Sequence, residues 1–242
     1  MYAERFNTDR YEELMRRTSL VIVPVGSHEA HGRHCPLGTD NMIPARLCAD
    51  IEARMGDRVM IAPLVPYGYT PLLEAFPGTV SIRAEALIDI YTDIGLGLAK
   101  WGAKTIVFMN GHGGNIPMLG IACDRISKAG VVAAAISYWA TFSRDILTVC
   151  ETQGHAGEDE TSLVLAIDET LVERSKERRH MKVSAISPIA GPGVLEARFP
   201  GACNGDPTKA SADKGERLYR LLLERNVETL DRLARGDFAK DM

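Results

Sequence analysis

Four short apolar runs, at residues 20–25, 59–62, 105–109 and 131–137, are spaced along the chain, with a stretch of helical character between each and the next. Runs of this length bounded by turn residues and rich in β-branched side chains read as buried strands. The stretches between them read as helices. Ile43, Leu47, Ile51 and Met55 recur every fourth residue and stop at Gly56, which draws one stripe down a helix. Ala84, Leu87, Ile88, Tyr91 and Leu98 mark a second helix that closes near Gly102. Pro117 suits the first turn of a third, running to about Lys128 with Gly130 as its cap. Strands separated by helices cannot pair through tight hairpins. Each return is a crossover, so the expected fold is α/β, a largely parallel sheet with helices on both faces.

A last helix is expected to carry Leu218, Leu221, Leu222, Leu230 and Leu233 on one broad face, with Asp206 as its N-cap and Pro207 as its first residue. Before it, residues 184–207 hold four prolines and four glycines. Such a stretch reads as one long ordered loop, of the kind that covers a site or an interface. The chain's 242 residues, 45% apolar and 25% charged, exclude disordered and collagen-like classes and fit one α/β domain over 1–242.

Charge and cysteine usage narrow the partners. With 28 basic and 32 acidic residues the net charge is −4, and the densest basic run, Arg174 to His180, has Glu177 inside it. Neither nucleic acid nor membrane is therefore an expected partner. No apolar run approaches the ~18–20 residues of a membrane helix, and the first residues lack the basic-then-apolar layout of a signal peptide. The five cysteines (Cys35, Cys48, Cys123, Cys150, Cys203) form no Cys-x-x-Cys pair, which suits reduced thiols and a cytoplasmic location.

Five of the six histidines fall in three short glycine-rich places: His28, His31 and His34; His112; and His155. Each follows an expected strand or sits in the loop after one. In open α/β sheets ligands bind outside the carboxyl ends of the strands, so the three loops are expected to converge there. In the first, Glu29 and His31 are two apart and project to the same side of extended backbone, roughly 7 Å from each other. Asp40 ends that loop, where it can cap the next helix or bridge two cations. In the second, Asn110-Gly-His-Gly-Gly-Asn115, His112 is poorly placed for core packing and reads as a metal ligand, with Asn110 and Asn115 shaping the turn. In the third, Gly154-His-Ala-Gly-Glu-Asp-Glu-Thr161, His155 and Glu160 can face one centre only if the chain turns between them, which Gly157 permits. Glu158 and Asp159 there also complement a helix dipole. A mixed imidazole and carboxylate set suits Zn²⁺, Mn²⁺ or Fe²⁺. No Gly-x-Ser-x-Gly elbow is present, and nothing marks Cys35 as an activated nucleophile.

The three segments resemble the motifs of the creatininase (creatinine amidohydrolase) family. They are Pro24-Val-Gly-Ser-His-Glu-Ala-His-Gly-Arg-His34 with Thr39-Asp40, then Asn110-Gly-His112, then His155 with Glu160-Thr161; Phe76-Pro-Gly-Thr79 and Gly205-Asp-Pro207 match as well. The resemblance implies a three-layer α/β/α sandwich and a homo-oligomer, commonly a hexamer. It implies two divalent ions per chain, one held by Glu29, Asp40 and His112 and the other by His31, Asp40 and Glu160, with His155 as the catalytic histidine. The implied reaction is attack of a metal-bridging hydroxide on a carbonyl of a small molecule, foremost a cyclic or linear amide. Ring opening of an inositol-derived diketone, as by a 3-dehydro-scyllo-inosose hydrolase, is the alternative. Creatininase proper carries a glutamate where this chain has Gly114 and a tryptophan where it has Glu151, and many relatives carry a histidine where it has Leu73. Creatinine is therefore not the expected substrate.

Overall fold

A computed structural model of the chain describes residues 1–181, 191 and 193–238. Its sheet has four parallel strands, β1 (Leu20–Val25), β2 (Met60–Ile61), β3 (Thr105–Asn110) and β4 (Val132–Ser137), in the order β2-β1-β3-β4. Around them lie α1 (Thr8–Met15), α2 (Thr39–Met55), α3 (Ala84–Lys100), α4 (Ile116–Ser127), the short α5 (Tyr138–Thr141) and α6 (Ser143–Ile146), α7 (Glu158–Ile167), α8 (Val194–Arg198) and α9 (Ala212–Arg235).

The two-residue period of the strands sorts the core into two halves. Leu20 and Ile22 of β1 and Val107 and Met109 of β3 pack with residues of α2, α7 and α9. Val21, Val23, Val25, Ile106 and Phe108 point the other way, into a second cluster with residues of α1, α3 and α4. Both faces of the central strands are thus covered, which gives the three layers and explains why β1 is apolar throughout and β3 at every position but its ends.

Where α2 begins decides where the site is. The Ile43–Met55 stripe places its body, but the helix starts earlier, at Thr39, with Gly38 in the N-cap position and Asp40 inside the first turn. Asp40 is therefore not the cap. Pro44 sits within this helix and has no N–H to give the Asp40 carbonyl one turn back. Against that carbonyl pack Gly26, just after β1, and Gly111, just after β3: a Cβ on either would lie 2.4 Å or 2.0 Å from the Asp40 oxygen. Only glycine lets the two strand ends close onto the start of α2.

Two expectations for the C-terminal region change. Asp206 makes no capping hydrogen bond, and Pro207–Lys209 is a separate 3₁₀ turn. The last helix starts at Ala212, where Ser211 accepts from the Lys214 N–H. Proline fits a 3₁₀ turn as well as a helix start, and the Ala210 backbone is extended between the two. Of the 184–207 stretch, residues 184–190 and 192 lie outside the described residues. The remainder holds α8 and a turn at Pro200–Ala202, and lies against two of the histidine loops through Gly32 N–H to Ala202 O (2.7 Å) and Asn204 N–H to His155 O (2.8 Å).

Candidate metal centre

At the carboxyl end of β1 the chain runs through Gly26 into the first histidine loop. Ser27 Oγ donates to Glu29 Oε2 (2.9 Å), and His31 Nδ1 lies 3.1 Å from the Glu29 carbonyl. The loop from β2 to α3 lies beside it, bridged at His28 to Val80. From the end of β3, Asn110 folds the second loop. Its Oδ1 accepts from the His112 N–H (3.0 Å) and its Nδ2 donates to the His112 carbonyl (2.9 Å). Asn115 Nδ2 donates to the Gly26 carbonyl, which ties this loop to the first.

The third loop turns at Ala156, a non-glycine residue with φ of 52°, and Gly157 lets the turn close, since a Cβ there would lie 2.6 Å from the Gly154 carbonyl oxygen. The reversal brings the Ala156 N–H onto Glu160 Oε2 (2.7 Å). His155 and Glu160 then face one place despite their five-residue separation. A left-handed alanine is uncommon, and sequence gave no sign of it.

Three backbone carbonyls set the imidazoles. His31 Nδ1 faces Glu29 O, His112 Nε2 faces Tyr69 O (2.8 Å), and His155 Nε2 faces Ala30 O (3.0 Å). A carbonyl only accepts, so the ring nitrogen opposite it carries the proton, and in the neutral ring the other nitrogen offers a lone pair. Those free nitrogens converge on carboxylates. His31 Nε2 is 2.9 Å from Asp40 Oδ1 and 3.7 Å from Glu160 Oε2; His112 Nδ1 is 3.0 Å from Asp40 Oδ2 and 3.2 Å from Glu29 Oε2.

This arrangement fits a cation. His31 Nε2 and Asp40 Oδ2 are buried and, short contacts notwithstanding, make no hydrogen bond. Buried polar atoms are normally satisfied, and lone pairs aimed at carboxylates are repulsive. A divalent ion placed among them removes both problems. Glu29, Asp40 and His112 have donor atoms within 4.8 Å of one another, and so do His31, Asp40 and Glu160. Asp40 belongs to both groups. A third group of the same span joins Glu29, His31 and His155.

Electrostatics agree. Burial disfavours a proton on His31, but Asp40, Glu160 and Glu29 outweigh it and hold its pKa up at about 10; burial and Glu29 with Asp40 act likewise on His112. Burial and the neighbouring acids push Glu160 up to about 8, with His31 opposing. His155 moves the other way, to about 4, through burial and the nearby His31. Carboxylates thus crowd the centre and favour positive charge within it.

Several groups hold this centre in ways the sequence does not show. The Tyr69 and Ala30 carbonyls leave no mark in a sequence, since any residue supplies one. Thr161 bonds His34 Nε2 (3.0 Å) and faces the Cys35 thiol. Burial pushes that thiol up to about 12, which disfavours the thiolate that a nucleophile needs. Glu158 and Asp159 do more than complement a dipole. Glu158 accepts from the Glu151 and Thr152 N–H groups and from Lys214, and Asp159 accepts from the Gly154 N–H.

The model of the creatininase family, described as creatinine amidohydrolase, matches residues 4–230. The chain belongs to the creatininase family. A mycofactocin precursor peptide peptidase of Mycolicibacterium smegmatis is 34% identical over 231 residues, covering 93% of this chain and 90% of that protein. A 3-dehydro-scyllo-inosose hydrolase of Thermotoga maritima is 26% identical, over 93% and 80%. Among solved structures, a mutant creatininase of Zn–Zn type superposes with a TM-score of 0.82 at 25% identity, over 95% of this chain and 96% of that one. This creatininase-family member is a metal-dependent hydrolase. Among the described residues, no helix is long and apolar enough to cross a membrane.

Proposed function

We propose that the chain is a dinuclear amide hydrolase, with Glu29, Asp40 and His112 holding one divalent ion, His31, Asp40 and Glu160 the other, and Asp40 bridging. The observation that carries this is the convergence of His31 Nε2 and His112 Nδ1, each freed by a carbonyl on its far nitrogen, onto opposite oxygens of one buried aspartate. When bound, the ions turn a water into a nucleophile near neutral pH and polarise the carbonyl it attacks. The chain supplies the rest. His155 keeps its Nε2 proton on Ala30 O, and its Nδ1, 3.8 Å from Glu29 Oε1, is free to take a proton and pass it to the leaving nitrogen. Ser27 and the Ala156 N–H fix Glu29 and Glu160.

A peptide or other linear amide is the substrate class this reading favours. The peptidase relative supports it, and so does Gly114. A Cβ there would lie 1.9 Å from the Tyr69 carbonyl and 2.4 Å from His112 Nε2. The glutamate of creatininase proper has no room without displacing the carbonyl that orients His112. The diketone-opening alternative asks nothing different of the metals and has the weaker relative.

The test pairs metal content with turnover. Protein loaded with excess zinc and desalted should carry close to two ions per chain and should cleave one member of a panel of peptides, formamides, lactams and ureides. One ion per chain at saturation, or turnover that survives exhaustive chelation, overturns the reading. Turnover of ketoinositols alone transfers it to the alternative.

A further inference from the structure

Next to the centre lies a cavity of about 150 Å³ between the first histidine loop and the segments around Lys176–Arg178 and Pro200–Cys203. At ~30 Å³ per water it has room for about five waters, or for one small polyatomic group. Its charge is one-sided. Arg33, Lys176 and Arg178 line it, and among the described residues no acid does, in a chain whose net charge is −4.

Three nearby acids are already engaged. Glu173 pairs with Lys176 (3.4 Å), Glu177 with Arg174 (3.2 Å) and Asp206 with Arg179 (3.5 Å). Among the described residues Arg178 reaches the Ser175 and Glu177 carbonyls and Arg33 has no ion-pair partner. Two arginines lining one cavity repel each other unless an anion lies between them, and planar guanidinium forks suit the paired oxygens of a carboxylate or phosphate.

The cavity is also tied to the catalytic loops. Gly32 follows His31. His34 bonds Thr161, the neighbour of Glu160, and the Cys203 thiol reaches the Ala156 carbonyl (3.5 Å) beside His155. An anion held here is within a few residues of both metal-facing loops.

We infer that this cavity is an anion subsite that takes a carboxylate or phosphate carried by the substrate whose amide is cut at the adjacent centre. The substrate half of the inference rests on the hydrolase reading above; the anion half does not.

The experiment therefore has two arms. In the first, inorganic phosphate is titrated calorimetrically into the zinc-loaded full chain and into its Arg33→Ala/Arg178→Ala variant, with metal content measured on both. The variant should bind phosphate about tenfold more weakly at equal zinc, the loss expected for charge-assisted contacts. Equal affinity would place all phosphate on the metals and overturn the inference. In the second arm, matched peptides ending in a free carboxylate or in an amide are compared as substrates. The wild type should show a KM about tenfold lower for the acid, and the variant should bring that ratio close to one. If the variant loses phosphate while both chains treat acid and amide alike, the subsite serves a free anion and the substrate half falls. If neither peptide is cut at two ions per chain, it is the peptide reading that fails, and the phosphate arm still decides the cavity.

Discussion

The first turn of α2 carries one acid, Asp40, whereas the first turn of α7 carries three, Glu158, Asp159 and Glu160. Both turns lie at the same edge of the sheet, and all four side chains are buried. Their partners differ. Asp40 faces the free nitrogens of His31 and His112 and leaves Oδ2 without a hydrogen bond. On α7 each acid folds back on the preceding loop: Glu158 to the Glu151 and Thr152 N–H groups, Asp159 to Gly154, Glu160 to Ala156. Only Glu160 also faces the centre. An acid in a first turn is thus a helix complement, a loop anchor or a candidate ligand according to what the tertiary fold brings to it. The solvent-facing side of α1 supplies the baseline, with Glu12 and the C-cap residue Arg16 paired on the surface.

This contrast can be broken by six substitutions. Asp40→Ala should strip both ions and lower turnover by about 10³-fold or more, since a bound cation contributes several kcal/mol to the barrier. His112→Ala and Glu160→Ala should each lose one ion, so equal metal loss in all three would remove Asp40 from its bridging place. His155→Ala should keep both ions, measured by metal analysis, and lose about 10² to 10⁴ in kcat. Unchanged kcat would take His155 out of the reaction.

Glu158→Gln should leave the metal-facing donors in place and act on stability. Its carboxylate is fully buried and paired with Lys214, and breaking a buried pair costs about 3 kcal/mol, roughly 6–12 °C in Tm for a chain of this size. Burial raises the Glu158 pKa, but Lys214 and the Thr152 and Glu151 donors outweigh burial and lower it from 4.5. The carboxylate's contribution is therefore complete above that pH and fades as the pH falls through the lowered value. Thermal melts from pH 7 to 3 should show wild type and variant converging at the acid end; a gap that widens there would reverse the assignment. The smallest effect is expected on α1, where Arg16→Ala should move stability by no more than about 0.5 kcal/mol in a denaturant titration.

Much of the fold is legible in the sequence. Strand positions, the helix between each pair and the parallel pairing all follow from apolar periodicity, because a strand buried on both faces has few polar positions to spare. Helix starts were less legible. The stripe from Ile43 marks only the part of α2 that touches the core, while its first turn packs on glycine backbones that carry no apolar side chain. Asp206-Pro207 has the chemistry of a helix start, yet the chain stays extended at Ala210 and leaves the cap to Ser211.

At the centre, the order of residues settles which side chains are at hand: imidazoles and carboxylates on loops that a parallel sheet must gather at one edge. How they are used depends on packing between distant segments. The Tyr69, Ala30 and Glu29 carbonyls choose which nitrogen of each ring is free, and the left-handed turn at Ala156 brings Glu160 round to His31. The close approach of Gly26 and Gly111 seats Asp40 between two histidines. Hydrogen bonds to backbone atoms are supplied by position and not by residue type, so they are written in the fold and not in the letters.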